Sequence, residues 1–172
     1  MSTLIQFIFI CAMLFSLASI LWSTIRYGIS PMPSNQKAQL AMLSLIPDNP
    51  PTHMVDLGSG WGTIAHQLAK RYPQSTVYGY ERSLIPFLFS RLFFRRNNLH
   101  LYFANFLQEQ FPPHTLFFCY LYPQGMSILS NHLNGLPCQV ISNTFALGQH
   151  QPIRTLQIDD SHHSKIYLYD LK

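Results

Sequence analysis

The sequence predicts an α/β fold: a mostly parallel sheet covered on both faces, closed by an antiparallel C-terminal strand and preceded by a transmembrane helix. Three observations carry this. Strand-like apolar runs alternate with helix-like stretches from "HMVDLG" to "CQVISNTF", the pattern of parallel strands joined by helical crossovers. Two further strand-like runs, "IRTLQID" and "KIYLYDL", are separated only by the polar turn "DSHHS", so one of them must run antiparallel beside the sheet. Finally, "MVDLGSGWGT" (54–63) places three glycines at alternate positions after an apolar run that ends in an acid. A strand, a glycine-rich turn and a helix in that order bind a ligand at the carboxyl edge of a parallel sheet.

The chain has 172 residues, enough for one domain with a core and too few for two. Charged residues are only 10% and hydrophobic ones 48%, far from the quarter charged that soluble domains carry; part of the chain is expected in a membrane or under a partner. The net charge of +4 favours anionic surfaces, but the basic residues form no nucleic-acid stripe, and no nucleic-acid partner is expected. Cys11, Cys119 and Cys138 are odd in number, far apart and free of a CxxC pair, which argues against disulfide and zinc frameworks and fits a reducing compartment.

"LIQFIFICAMLFSLASILW" runs from Leu4 to Trp22 without a charge. About 19 helical residues span roughly 28 Å, close to the hydrocarbon thickness of a bilayer. Trp22 and Tyr27 then fall at the interface. A cleaved signal peptide would begin with a basic segment, yet nothing basic precedes Arg26. Arg26 and Lys37 follow the span, so the positive-inside rule puts the remainder on the cytoplasmic (or matrix) side of a single-pass membrane protein. The expected division is an anchor over 1–25, a linker and helix over 26–52, and the main domain over 53–172.

After the anchor, "SPMPSN" reads as an extended linker. Ser34 is expected to cap a helix through "NQKAQLAMLSLI" that presents Ala38, Ala41, Met42, Leu45 and Ile46 on one face. "HMVDLG" and "STVYGYE" are strands flanking the helix "TIAHQLAKRYP", whose last turn carries Lys70 and Arg71. "SLIPFLFSRLFFRRNN" is a very apolar helix, followed by the strands "HLYFAN" and "TLFFCYLY". "QGMSILSNHLNG" is a helix stopped by Gly135, and "CQVISNTF" a further strand. The Asp159, Asp160, His162 and His163 turn reads as a solvated loop, and no metal site is expected.

The glycine motif selects its ligand by what it lacks. No lysine follows as in a phosphate loop, and the spacing is GxGxG rather than GxGxxG. Asp56 would repel a pyrophosphate and suits a cation; S-adenosylmethionine carries an ammonium and a sulfonium. Gly58, Ser59, Gly60 and Gly62 are therefore expected to cradle that cofactor. Glu81, ending the next strand about twenty residues on, is placed to accept from the ribose hydroxyls. Asn105, ending the third strand, offers an amide oxygen to an adenine amino group.

With "VDLGSGWG", "YGYE" and "FAN" the chain resembles the class I S-adenosylmethionine-dependent methyltransferases, over roughly residues 53–147. More closely, it is similar to the small membrane-anchored protein-lysine methyltransferases, whose members modify the ATP synthase c subunit and the adenine nucleotide translocase. The likeness rests on the hydrophobic N-terminal span, "SPMPSNQKA", "VDLGSG", "GYE", "YLYPQGM" and "SNTFAL". Trp61 and Asn105 depart from that pattern, which more often has acids there. The resemblance implies a Rossmann-like sheet, an S-adenosylmethionine cofactor and a membrane-protein lysine as methyl acceptor.

For a lysine acceptor the obstacle is its proton. At pKa 10.4 the amine is neutral about once in 2,500 at pH 7, a handicap of roughly 4.6 kcal/mol. An apolar channel lowers that pKa by desolvation. Tyr120, Tyr122, Pro123, Phe145 and Trp61 supply aromatic and apolar surface near the expected site, and Tyr122 and Asn143 are expected to line the acceptor pocket without a dedicated general base. The helix "LIPFLFSRLFF" should face the bilayer or a membrane-protein substrate, with Arg91, Arg95 and Arg96 near anionic head groups. Alternative readings are a methyltransferase for a lipid or small hydrophobic acceptor, and a non-catalytic assembly factor on the same fold.

Overall fold

A computed structural model describes residues 3–11, 13–14, 18, 35–160 and 163–172 of the chain. Residues 3–11 are helical, and all nine are exposed. Among the described residues no helix is long and apolar enough to cross a membrane; much of the expected Leu4–Trp22 span, and linker residues 30–34, lie outside them.

The elements follow the expected order. Helix α1 is Gln36–Ser44, β1 His53–Leu57, α2 Thr63–Arg71, β2 Thr76–Glu81, α3 Leu84–Phe93 and β3 Leu99–Phe103. A 3-10 turn, Phe106–Gln108, leads to β4 Thr115–Cys119, α4 Pro123–His132, β5 Cys138–Asn143, β6 Arg154–Gln157 and β7 Lys165–Leu171. The seven strands form one sheet in the order β3-β2-β1-β4-β5-β7-β6. Strands β1 to β5 are parallel, and β7 lies antiparallel between β5 and β6. The chain first runs outward from β1 through β2 to β3, then returns to β4 on the other side of β1. That reversal opens a crevice beyond the carboxyl end of β1.

Strands β4 and β5 are buried almost throughout, as continuous apolar runs between two layers should be. On one face α1 and α2 pack Ala38, Met42, Ile64 and Leu68 against Leu116, Phe118 and Ile141. On the other, α4 stands alone, with Met126, Leu129 and Leu133 against Val55, Phe117, Val140 and Tyr169. Helix α3 covers β2 and β3 at the sheet's edge and is turned inside out. It buries Pro86 and Ser90, while Leu84, Leu88, Phe89, Leu92 and Phe93 are exposed.

Several ends differ from the sequence expectation for local reasons. Asn35 caps α1, its Oδ1 accepting from the Ala38 N–H at 2.7 Å; Ser34 lies outside the described residues. Strand β4 stops at Cys119, opposite Leu57 where its neighbour β1 ends, and Pro123 opens α4 at its first position. Strand β3 stops at Phe103 because the Asn105 side chain caps the 3-10 turn. The turn expected to be merely solvated fastens the start of α1. Asp160 accepts from Asn35 Nδ2 at 3.0 Å, and the Lys37 ammonium donates to the Asp159 carbonyl and lies 3.8 Å from its carboxylate.

Candidate active site

Three strand tips meet at the crevice. Register sets Asp56 of β1 opposite Gly79 of β2 and Phe118 of β4. Asp56 is 6% exposed, and among the described residues its one hydrogen-bond donor is the Ala65 N–H at 3.2 Å. Burial raises its pKa to about 7, the Ala65 bond works against that rise, and the charge of Glu81 adds to it. A carboxylate held this dry with a single donor is under-satisfied, and a cation is the partner that would lower its free energy most.

The loop after β1 is pinned from both sides. Gly58 and Ser59 each donate their N–H to the Tyr80 carbonyl at 2.9 Å. Glu81 accepts from Gly60 N at 2.7 Å through Oε2, and from Arg82 N at 2.9 Å and Ser83 N at 2.6 Å through Oε1. Glu81 thus fastens the loop to the start of α3, and Oε2 retains acceptor capacity for another donor. Gly58, Gly60 and Gly62 have φ of +73°, +53° and +78°, the left-handed region that disfavours side chains. At Gly60 a Cβ would meet nothing nearer than the Gly58 carbonyl at 4.0 Å, so the backbone there is open to a ligand. At Gly62 a Cβ would stand 2.6 Å from Ser90 Cβ, so this glycine lets α3 close against the loop.

The remaining expected site residues divide. Ser59 is buried and turned toward β2, where a Cβ on Gly79 would lie 3.2 Å from its Oγ. Asn105 Oδ1 accepts from Leu107 N at 3.3 Å, so its oxygen serves the turn beside the crevice. Tyr122 is half-buried at the start of α4, its ring over Gly125, where a Cβ would sit 3.3 Å from Tyr122 Cε1. Asn143 ends β5, is 3% exposed, and its Oδ1 accepts from the Thr144 hydroxyl at 3.1 Å. Tyr120 stacks on Phe145, with ring centroids 6.3 Å apart and planes 17° apart. Strand register pairs Cys119 with Ser142, which sets Tyr120 to Tyr122 and Asn143 to Phe145 on neighbouring strand ends. Trp61 belongs elsewhere: it meets Phe89 edge-on at 5.2 Å and joins the exposed face of α3.

Sequence reasoning missed four contributors. The Ala65 N–H and the Tyr80 carbonyl are backbone groups that leave no residue-type signal. Thr144 has φ +66°, rare for a β-branched residue, and is held by its N–H to the Lys165 carbonyl at 2.8 Å. Gly79 was visible in "YGYE"; a Cβ there would strike Leu101 at 2.7 Å.

The chain matches the family profile of the methyltransferase small domain over residues 35–112. It is 50% identical over 40 residues to the trans-aconitate 2-methyltransferase of Deinococcus radiodurans, a stretch covering 23% of this chain and 16% of that protein. Among solved structures, an RNA methyltransferase from Salinibacter ruber in complex with S-adenosyl-L-homocysteine superposes with a TM-score of 0.72 at 20% identity, covering 81% of this chain and 94% of that one. A TehB-like S-adenosylmethionine-dependent methyltransferase from Corynebacterium glutamicum superposes with a TM-score of 0.59 at 11% identity, covering 91% and 99%. The strand order, the glycine-lined crevice and these likenesses together establish that the chain has the class I S-adenosylmethionine-dependent methyltransferase fold.

Proposed function

We propose that the protein is an S-adenosylmethionine-dependent methyltransferase, tethered to a membrane by its N-terminal helix and acting on a lysine of a membrane protein. The observation that carries the cofactor is Asp56: a dry carboxylate with one donor, beside a loop whose backbone is open at Gly60. The residues present fit that group. Asp56 would take its cationic amino-acid portion, Glu81 would accept from its sugar hydroxyls through the capacity left on Oε2, and Asn105 lies beside the crevice for the base. Bound there, the cofactor supplies an activated methyl on a sulfonium sulfur.

The chain's own task is to position the acceptor and strip it of water. Such a displacement is limited by alignment more than by strong acid or base chemistry. Tyr120 and Phe145 stack at the strand ends, and Tyr122 and Asn143 flank them. Aromatic walls favour a neutral amine by desolvation and then stabilise the methylated cation through their ring faces. The lysine reading is further supported by the all-exposed apolar helix of residues 3–11 and by the sequence resemblance to membrane-anchored lysine methyltransferases.

The test is to incubate membranes containing the full chain with methyl-labelled S-adenosylmethionine and hydrolyse the labelled product. Methyl-lysine in a membrane-protein band is expected. Label confined to lipid, to small molecules or to RNA would overturn the lysine assignment. Absence of both label and cofactor-dependent thermal stabilisation would overturn the methyltransferase reading.

A further inference from the structure

Helix α3 reverses the usual order of a surface helix. Its buried contacts are made by Pro86 and Ser90, with Phe87 partly buried, while Leu92 and Phe93 are 62% and 63% exposed and Leu84, Leu88 and Phe89 are exposed beside them. An amphipathic helix normally turns its apolar stripe inward. Here the more apolar side faces outward, and it continues onto Trp61 of the glycine loop through the contact with Phe89. An apolar patch of this extent marks a place where something binds.

The charge around it identifies the occupant. Residues 82–108 contain four arginines (Arg82, Arg91, Arg95 and Arg96) and no acid, a local excess equal to the +4 of the whole chain. Arg91, Arg95 and Arg96 are exposed, and the ion pair formed among the described residues lies elsewhere, between Lys37 and Asp159. An apolar helical face rimmed by exposed arginines is the build of an interfacial helix on an anionic bilayer.

We infer that the outward face of α3 rests on the surface of an anionic phospholipid bilayer, Leu88, Leu92 and Phe93 entering the acyl boundary while Arg91, Arg95 and Arg96 meet the head groups. This is a second contact with the membrane, independent of the anchor and of the chemistry. Because Glu81 fastens the glycine loop to the start of α3, the contact sets the catalytic crevice at the bilayer surface.

A depth measurement tests it in the full chain. Of the three cysteines, Cys119 and Cys138 are buried and Cys11 is exposed. A Cys11→Ser, Leu92→Cys protein therefore takes a nitroxide at position 92 alone; Asn131→Cys, on the exposed side of α4, serves as the aqueous control. The proteins are reconstituted in phosphatidylcholine vesicles with or without about one-third phosphatidylserine. The nitroxide at 92 should collide more with oxygen than with a polar nickel chelate only in the anionic vesicles, while the label at 131 stays in water. Arg91→Glu, Arg95→Glu and Arg96→Glu together should return the label at 92 to water, each arginine being worth about fivefold in membrane partitioning. A label at 92 that reads aqueous in anionic vesicles overturns the proposal. One shielded from both reagents also overturns it, because the face is then covered by protein: the chain's own N-terminal helix, a second copy or another partner. Immersion that the charge reversals leave unchanged refutes the role of the arginines. None of these readings depends on methyl transfer, so failure here leaves the enzymatic reading intact, and the converse holds.

Discussion

Replacing Asp56 with Asn should strengthen the fold and abolish the site. Asn keeps an oxygen for the Ala65 N–H, loses the charge, and carries an N–H₂ in place of the other carboxylate oxygen. Because burial raises the Asp56 pKa from 3.8 to about 7, the folded protein retains a proton that the unfolded chain has already released. The stability this group contributes is therefore fully present below pH 3.8 and is lost as pH rises through about 7. Above that, the ionised carboxylate burdens the fold by about 4 kcal/mol at most, from 3.2 pKa units at 1.36 kcal/mol each. Asp56→Asn escapes the burden. At roughly 2–4 °C per kcal/mol for a chain of this size, its Tm at pH 8 should exceed the parent's by about 5–15 °C, a gap that fades toward pH 4. Cofactor binding should move the opposite way. The parent should bind S-adenosylmethionine about 50-fold more weakly at pH 5 than at pH 7, as the proton competes with the cation, whereas the variant should bind weakly at both. Circular-dichroism melts and calorimetric titrations of the two proteins across that range decide it. A variant that melts below its parent at pH 8, or a parent whose affinity is flat with pH, would refute the assignment of Asp56 as a dry carboxylate awaiting a cation.

Three further outcomes are expected. Gly62→Ala should cost about 2–4 kcal/mol in denaturant titrations, because φ is +78° and the new methyl meets Ser90 Cβ at 2.6 Å; adding Ser90→Gly should recover at least about 1 kcal/mol, and strict additivity would show that the two do not touch. Glu81→Gln turns an amide N–H₂ toward backbone donors that now face a carboxylate; it should lower stability by about 1–3 kcal/mol and cofactor affinity at least tenfold, read by melts and by titration calorimetry. Thr144→Gly relieves a strained φ and loses the hydroxyl bond to Asn143, two effects of about 1 kcal/mol each that should nearly cancel in stability; turnover should fall while the cofactor Kd holds, and a Kd that rises with it would move Asn143 to the cofactor side.

Most of the sheet was legible because its strands are continuous apolar runs and its helices carry the helical period. The position of β7 was not, since two consecutive strands without a crossover state that one is antiparallel but not which neighbour it takes. At the crevice, the placement of Asp56 and Glu81 near strand ends and of Gly58 and Gly60 in a positive-φ turn was readable, because the strand–glycine–helix spacing dictates it. The orientation of Ser59 toward β2 and of Trp61 toward Phe89 depends on which side of the loop each Cβ leaves, which composition does not record. Asn105 illustrates a limit of residue type: the same amide oxygen suits an adenine or a 3-10 turn, and here it accepts from Leu107. The exposed stripe of α3 was foreshadowed by its lack of polar residues, but only the burial of Ser90 shows that the helix is reversed.

The close approach of Gly62 to Ser90 has a thermodynamic corollary. Because a Cβ at Gly62 has no room beside Ser90, a shift of α3 toward the loop would be felt by the residues around the crevice. Linkage then requires that whatever factor lipid seating adds to cofactor affinity, an occupied crevice returns to lipid seating. Headgroup composition would thereby act as an effector of this protein, tuning it without touching the reacting atoms.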